Sequence, residues 1–523
     1  MPTQLPVAAG ESADDRAAAA ATLRPSPAQL AWQAREVTVF THLGMNTLTD
    51  REWGSGCEDP ATFAPPVLDV EQWMDVHRSM GAAQAMLTAK HHDGFCLWPS
   101  RYTDHTIARS GAPAGADLVR AYTDTARAAG LRAGVYLSPA DGAELPHAWH
   151  AAHSAALQAR VAGGEGPRHS GEESTLADAG RAPGGRGRYG NGSAKRTVTL
   201  PTLVEGDDRA ERVASGELPS FTFELDDYNA FYLNQVYEIL TQYGPFDEFW
   251  LDGANPWREH GIEQPYDFTA WFTVIRALAP DAVIFGGPDG VRWVGNEDGI
   301  ARETEWSTVP ATDRPDAFHG EWLLPDYADR ADLASREKLA DPRVSWLRWF
   351  PAESDVSIRP GWFHHPSEKP KSAAELLDLY EKSVGRNSLL LLNVPPAADG
   401  RIAEEDAAEC AAFGALRTRV YGTDLGAEGQ WDSAELRLPE AVAFDRVRLA
   451  EDLAEGQRVE SCVVEARSGD DAPWTEVASA TTVGHARILP LAEPVTADRL
   501  RVRVTATRAE PVMLRPTLHR RLG

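Results

Sequence analysis

Short apolar runs and helix-like runs alternate along most of this 523-residue chain, and that alternation limits the fold more than any other feature. β-Branched and apolar stretches begin near positions 37, 84, 131, 247, 281, 303, 346 and 388. Segments of helical spacing separate many of them, at 70–82, 116–130, 226–244, 269–280 and 372–385. The strand-like runs are apolar throughout instead of alternating, as strands covered on both faces are. Eight such βα units predict a (β/α)8-like barrel. A doubly wound open sheet is the alternative with the same local pattern.

Three regions break the rhythm. Residues 1–30 are rich in Ala, Pro and acid, and read as a loose tail ahead of a catalytic domain over 31–415. Residues 150–222 are rich in Gly, Ala, Ser and charge and read as an insertion, a surface loop in preference to a lid. From 416 to 523 the texture becomes short alternating runs such as "FDRVRLAED" and "DRLRVRVTATRAE", the pattern of an antiparallel β-sandwich. So long a chain is expected to divide in this way.

The formal net charge of −27 argues against nucleic acid and anionic membrane as partners. Cys57, Cys96, Cys410 and Cys462 are scattered, without the spacing of a disulfide framework or a cysteine zinc site. The first 20 residues lack the basic and apolar regions of a secretory signal, and no long apolar run suggests a membrane span; a cytoplasmic protein is expected.

In a parallel barrel, chemistry gathers at the carboxyl ends of the strands. Here the first strand ends at His42, the second at Lys90-His91-His92-Asp93, and the third carries Tyr136 and Ser138. The fourth ends at Asp252, the fifth leads to Arg292, Trp293 and Glu297, and the sixth run holds Glu303, Glu305 and Trp306. Arg348, Trp349 and Glu353 follow on the seventh and Asn393 on the eighth. Any one of these is an ordinary strand terminus; together they surround one pocket with imidazoles, rings and carboxylates. Asp252, in "FWLDGA", is the sharpest: Gly and Ala after it admit a ligand, and no helix starts there for it to cap. Two carboxylates flanking a sugar hydrolyse glycosides, and the second is Glu297, Glu303 or Glu305, which spacing does not rank. Adjacent histidines in a strand point to opposite faces, and no metal-site spacing occurs, so no metal is expected and hydroxyl binding is the preferred role for His91 and His92.

These segments resemble a known family. "FTHLGMNTLTDREWGSG", "KHHDGFCLWPSRYTDHT", "YGPFDEFWLDGA", "GVRWVGNE", "TEWSTVP", "SDVSIRPGWFHH" and "SVGRNSLLLLNVPP" resemble, in order, glycoside hydrolase family 29, the retaining α-L-fucosidases. The resemblance implies a barrel followed by a sandwich, no cofactor, and a fucosylated oligosaccharide as substrate. It implies Asp252 as nucleophile, and a fucose pocket lined by His42, Glu52, Trp53, His91, His92, Tyr136, Trp250 and Arg292. "RWVGNE" and "TEWS" resemble the branch acting on α-1,3 and α-1,4 linkages, which implies Glu297 as acid/base with Glu305 as second choice and a further pocket residue. Leu251 stands where the family more often has Phe. The sandwich is expected to brace the barrel more than to bind glycan, and Trp474 is the aromatic it could offer to a partner. A non-catalytic glycan-binding protein, a retaining glycosidase for another sugar and a metal-dependent hydrolase are the competing readings.

Overall fold

The computed structural model describes residues 2–144, 194–255, 264–312, 323 and 330–521, apart from 9, 55, 57 and 433. Eight parallel strands form one sheet: β1 (Val37–Thr41), β2 (Gln84–Lys90), β3 (Arg132–Leu137), β4 (Glu248–Trp250), β5 (Val283–Phe285), β6 (Arg292–Trp293), β7 (Ala352–Ser357) and β8 (Ser388–Asn393). β8 pairs with β1, joining the last strand to the first. A bridge from Phe285 to Val291 links β5 to the residues entering β6, so the sheet is a nearly closed barrel. β1, β2 and β8 are buried at every position, which is why their sequences show no polar face.

The intervening helices start where side chains cap them. Asp69, Asp117, Asp226 and Asp267 each accept a backbone N–H of the first turn, and Ser372 with Glu375 forms a capping box. The carboxylates favour that end of the helix dipole as well.

The sixth and seventh strands differ from expectation. The sixth barrel strand is the two-residue Arg292–Trp293, and 301–307 holds no strand until Thr308–Ala311, which pairs outside the barrel with Trp346–Trp349. The run "VSWLRWFPAESD" is therefore two strands, one outside and one, β7, inside, with Pro351 between them.

Residues 1–30 are not a loose tail. Gln4–Pro6 pairs antiparallel with Trp346–Trp349, and the helix Ala13–Ala20 buries Ala17 and Ala20 in a small core with Leu347 and Trp349. The helix Pro27–Gln33 closes the amino end of the barrel, where the Trp32 indole N–H donates to Glu248 at 2.9 Å. Of the expected insertion, 150–193 lies outside the described residues. The rest forms a hairpin of Arg196–Leu200 with Phe221–Leu225.

The helix Glu404–Tyr421 runs past the expected boundary at 415 before the antiparallel domain begins. There β9 (Glu435–Leu449), β10 (Val459–Arg467), β11 (Thr475–Ala480) and β12 (Arg487–Thr507) enclose their own core, with Phe444, Val447, Val464 and Leu500 at its centre. Register shifts between Arg437 and Val442 and between Phe444 and Arg446 let the two long strands bend. Trp474 is half-buried and has the Arg467 and Arg501 guanidinium groups each 4.5 Å from its ring, so its ring already has partners within the domain. Arg446 bonds Glu381 of the barrel at 2.9 Å, and Gln457 donates to the Glu305 carbonyl at 3.1 Å. Among the described residues no helix is long and apolar enough to cross a membrane.

Candidate active site

Asp252 follows β4 directly and stays partly open to solvent. The Tyr136 hydroxyl donates to its Oδ2 at 2.9 Å and the Ala254 N–H to its Oδ1 at 2.9 Å. His92 Nε2 lies 3.6 Å from Oδ2, beyond a normal hydrogen bond. These bonds fix the carboxylate while leaving it exposed at the mouth.

The histidines gather around it. His91 and His92 have ring centroids 4.2 Å apart, and His42 is 5.7 Å from His91. The expected alternation of the pair to opposite faces does not occur, because β2 ends at Lys90 and both residues lie in the turn beyond it. Asn393 Nδ2 donates to Ser357 and to the Trp362 carbonyl, so its Oδ1 faces His42 Nδ1 at 2.8 Å and takes that proton. Burial pushes His42 down to about 4, which keeps it neutral with Nε2 as an acceptor. Ser138 donates to the Ala140 carbonyl and accepts from His92 Nδ1 at 2.6 Å, which sets the same tautomer there. Burial also lowers His91 and His92, the latter against the pull of the Asp252 charge. Neutral imidazoles suit sugar hydroxyls, which both donate and accept.

Aromatic rings make the wall. Trp53 stands 4.5 Å from His92, Tyr136 5.1 Å from Trp250, and Trp250 stacks on Phe285 at 3.9 Å. The Trp250 indole N–H donates to Glu353 at 2.8 Å inside the barrel. Trp362, which carried no assigned role in the sequence, stands 5.3 Å from His42. Its place just past the seventh strand, after Pro-Gly, was the available signal.

The three carboxylates that spacing did not rank part company here. Glu297 sits on the rim after β6, in a loop whose Gly295 and Gly299 take φ of 99° and 72°, and its Oε2 accepts the Trp362 indole N–H at 3.3 Å. Partial burial raises its carboxyl, and the charges of Asp252, Glu52 and Asp298 add to this against the Trp362 bond. Glu303 pairs with Arg386 and Arg487 at the junction with the second domain. Glu305 is buried against Arg292 and Arg302, and burial's upward push on its carboxyl is outweighed by those two cations. Arg292, expected in the pocket, is wholly buried and donates to Glu305 and the Trp306 carbonyl. The contacts described for Arg292 and Glu305 do not reach Asp252 or the histidines, which corrects both assignments: the next residue, Trp293, is the one that reaches Asp355 inside the barrel, and alternation along β6 puts Arg292 on the other face.

Glu52 is bound to the loop after β7. Its carboxylate accepts the N–H groups of Trp362 at 2.9 Å and Phe363 at 3.1 Å, and His365 Nε2 bonds Oε1 at 2.7 Å. Asp50 holds His365 Nδ1 at 2.7 Å. Burial works to raise the Glu52 carboxyl, but these bonds hold it below the usual range. The Glu52 bond lifts His365 to about 9 against burial, with Asp50 helping. A raised histidine contributes stability that is complete below its ordinary value near 6.5 and is lost as pH rises through about 9. His365→Gln is therefore expected to lower stability by about 2 kcal/mol at pH 6, a difference that shrinks by pH 10 in denaturant titrations. Among the described residues no group of three His, Cys, Asp or Glu is placed to hold a metal ion.

Comparison with known proteins follows the same lines. The alpha-L-fucosidase family model matches residues 53–419. "Alpha-L-fucosidase 1" of Arabidopsis thaliana is 33% identical, over 94% of this chain and 86% of its own length. A glycoside hydrolase 29 family member from an unknown rumen bacterium superposes with a TM-score of 0.68 at 30% identity, covering 96% of this chain and 78% of that one. A Ruminococcus gnavus GH29 fucosidase, solved in complex with fucose, gives 0.70 at 25% identity over 95% of both chains. A barrel whose mouth presents Asp252, three neutral imidazoles and Glu297, in a chain so similar along most of its length to these enzymes, belongs to the alpha-L-fucosidase family, glycoside hydrolase family 29.

Proposed function

We propose that this α-L-fucosidase releases terminal fucose from α-1,3- and α-1,4-fucosylated oligosaccharides or glycoconjugates by double displacement. Asp252 attacks the anomeric carbon and Glu297 protonates the departing oxygen. A water, deprotonated by the same Glu297, then cleaves the fucosyl-enzyme with net retention. The observation that carries the reading is the pairing of Asp252 with a rim carboxyl, Glu297, that is raised above its usual range in part by the Asp252 charge itself. The neutral His42, His91 and His92 accept and donate to fucose hydroxyls, and Trp53, Trp250 and Phe285 face its apolar parts. The linkage assignment rests on the "RWVGNE" resemblance, since the Glu of that segment is the one at the rim.

Two measurements test this. NMR of the first-formed product is expected to show α-L-fucose; the β-anomer as first product would overturn retention. Release from 3- and 4-fucosylated oligosaccharides is expected to exceed release from 2-fucosylated ones by at least about tenfold, about 1.4 kcal/mol of transition-state discrimination, and equal rates on all three would overturn the linkage claim. The alkaline limb of kcat/KM should lie above the ordinary glutamate value, because Glu297 must keep its proton and its carboxyl is raised.

A further inference from the structure

Trp362 is bound at three points, and each belongs to a different part of the mouth. Its N–H goes to Glu52 Oε2 at 2.9 Å, in the loop after β1. Its carbonyl accepts Asn393 Nδ2 at 2.7 Å, at the end of β8, and the other end of that amide holds His42. Its indole N–H reaches Glu297 Oε2 at 3.3 Å, on the rim after β6. Glu52 takes the next backbone N–H too, from Phe363, and is itself clasped by His365, which Asp50 steadies. The fit is tight: a side chain at Gly361 would place its Cβ 2.5 Å from Glu52 Oε1. The backbone at Trp362 is thus held on both sides and its ring packs against His42 with centroids 5.3 Å apart, and from there the indole N–H points at Glu297.

We infer that Trp362 is a positioning residue for the acid/base, and that Glu52, fixed by His365 and Asp50, holds it in place. This rests on Glu297 being the acid/base. A glutamate on a glycine-bounded loop has many rotamers, and proton transfer needs one of them. The indole N–H bonds one oxygen, Oε2, and leaves Oε1 to carry the proton towards the glycosidic oxygen. When Glu297 has given its proton up, the same N–H stabilises the carboxylate that must then draw a proton from water. Carboxylates facing Glu297 are Asp252 after β4, Glu52 and Asp355 on β7 from other elements, with Asp298 on its own loop, and all of them favour the protonated form. Trp362 is the described donor that favours the ionised one.

The test separates acid catalysis from everything else by leaving group. Wild type, Trp362→Phe, Glu297→Gln and the double variant are assayed on a 3-fucosylated oligosaccharide, which needs a proton, and on 2-chloro-4-nitrophenyl α-L-fucoside, which needs little help. Trp362→Phe keeps an aromatic ring and removes the N–H. Its loss on the oligosaccharide should be about 10- to 100-fold, at least tenfold more than on the aryl fucoside. Its alkaline limb should move to higher pH, since the carboxylate has lost a donor. Added to Glu297→Gln, it should cost almost nothing further. Glu52→Gln should repeat the leaving-group pattern at smaller amplitude, which covers the case that Trp362→Phe folds badly. Equal losses on both substrates, or full additivity with Glu297→Gln, would overturn the inference and make Trp362 a wall of the sugar pocket. If Glu297→Gln itself shows no leaving-group dependence and azide fails to restore turnover, the acid/base reading falls, and the inference with it.

Discussion

Asp252→Gly is expected to reduce kcat/KM by about 10⁴-fold or more on every fucoside, because in the proposed mechanism it removes the group that forms the covalent bond. Added azide should restore part of the turnover on an aryl fucoside and yield β-fucosyl azide. With the carboxylate gone, the small anion enters from the face Asp252 occupied and inverts the centre once. Azide added to Glu297→Gln should give the α-fucosyl azide instead, since there it attacks an already inverted fucosyl-enzyme. Opposite products from the two variants assign the two roles separately. The loss in Asp252→Gly should not be one of folding. Asp252 is partly open to water, so water can replace it against the Tyr136 hydroxyl and the Ala254 N–H, and its charge opposes ionisation of both Glu297 and Asp355. The thermal midpoint is expected to stay within about 2 °C of wild type. Activity within tenfold of wild type, with an unchanged midpoint, would remove Asp252 from the mechanism.

The place of Asp252 at the barrel mouth was legible because its signal is local: an apolar strand, one acid, then Gly-Ala. The barrel was legible for the same kind of reason, since strands covered on both faces are written as unbroken apolar runs. What stayed hidden depends on partners far away in the chain. Glu297, Glu303 and Glu305 fall in one short stretch, yet their partners are Trp362, the pair Arg386 and Arg487, and the pair Arg292 and Arg302. Nothing in the spacing tells which acid meets a cation and which meets an indole. Segment 301–307 reads as a strand because Glu305 and Trp306 are buried, but their burial comes from Arg292, Arg302 and Arg508 and not from sheet pairing. The barrel's own sixth strand, Arg292–Trp293, is too short to leave any periodicity. At the amino end, an alanine-rich helix looks like low-complexity tail until Leu347 and Trp349 are there to cover it.

Lys90→Met is expected to destabilise the barrel by about 3–5 kcal/mol, the largest folding effect of a single substitution near the site. Lys90 and Asp141 have side chains wholly shielded from solvent, with Nζ 2.8 Å from Asp141 Oδ2 and 2.9 Å from Gln235 Oε1. The Phe231 and Tyr232 rings flank the ammonium at 5.4 and 5.1 Å. Methionine fills the volume but leaves Asp141 buried without its cation, beside two acids already strained by burial. Burial, then the Glu58 and Asp141 charges, push Asp93 up to about 8, and burial with the Asp141 charge raises Glu144 against the pull of Lys90. A buried acid raised in the folded state binds its proton there over a pH range where the unfolded chain has released it, so stability falls as pH rises through that range. Without Lys90 the cluster must hold another proton or carry an uncompensated charge. The deficit of Lys90→Met relative to wild type should therefore be larger at pH 8 than at pH 5.5, read by denaturant titration followed through tryptophan fluorescence. Adding Asp141→Asn should recover most of the loss at pH 8, because the amide keeps an oxygen for the Ala143 and Glu144 N–H groups without the charge. A deficit that does not change with pH, or no recovery with Asp141→Asn, would mean that packing and not charge is what Lys90 supplies. Because His91 and His92 follow Lys90 directly, the same variant should also raise KM, as the turn that presents both imidazoles loses the anchor at its first residue.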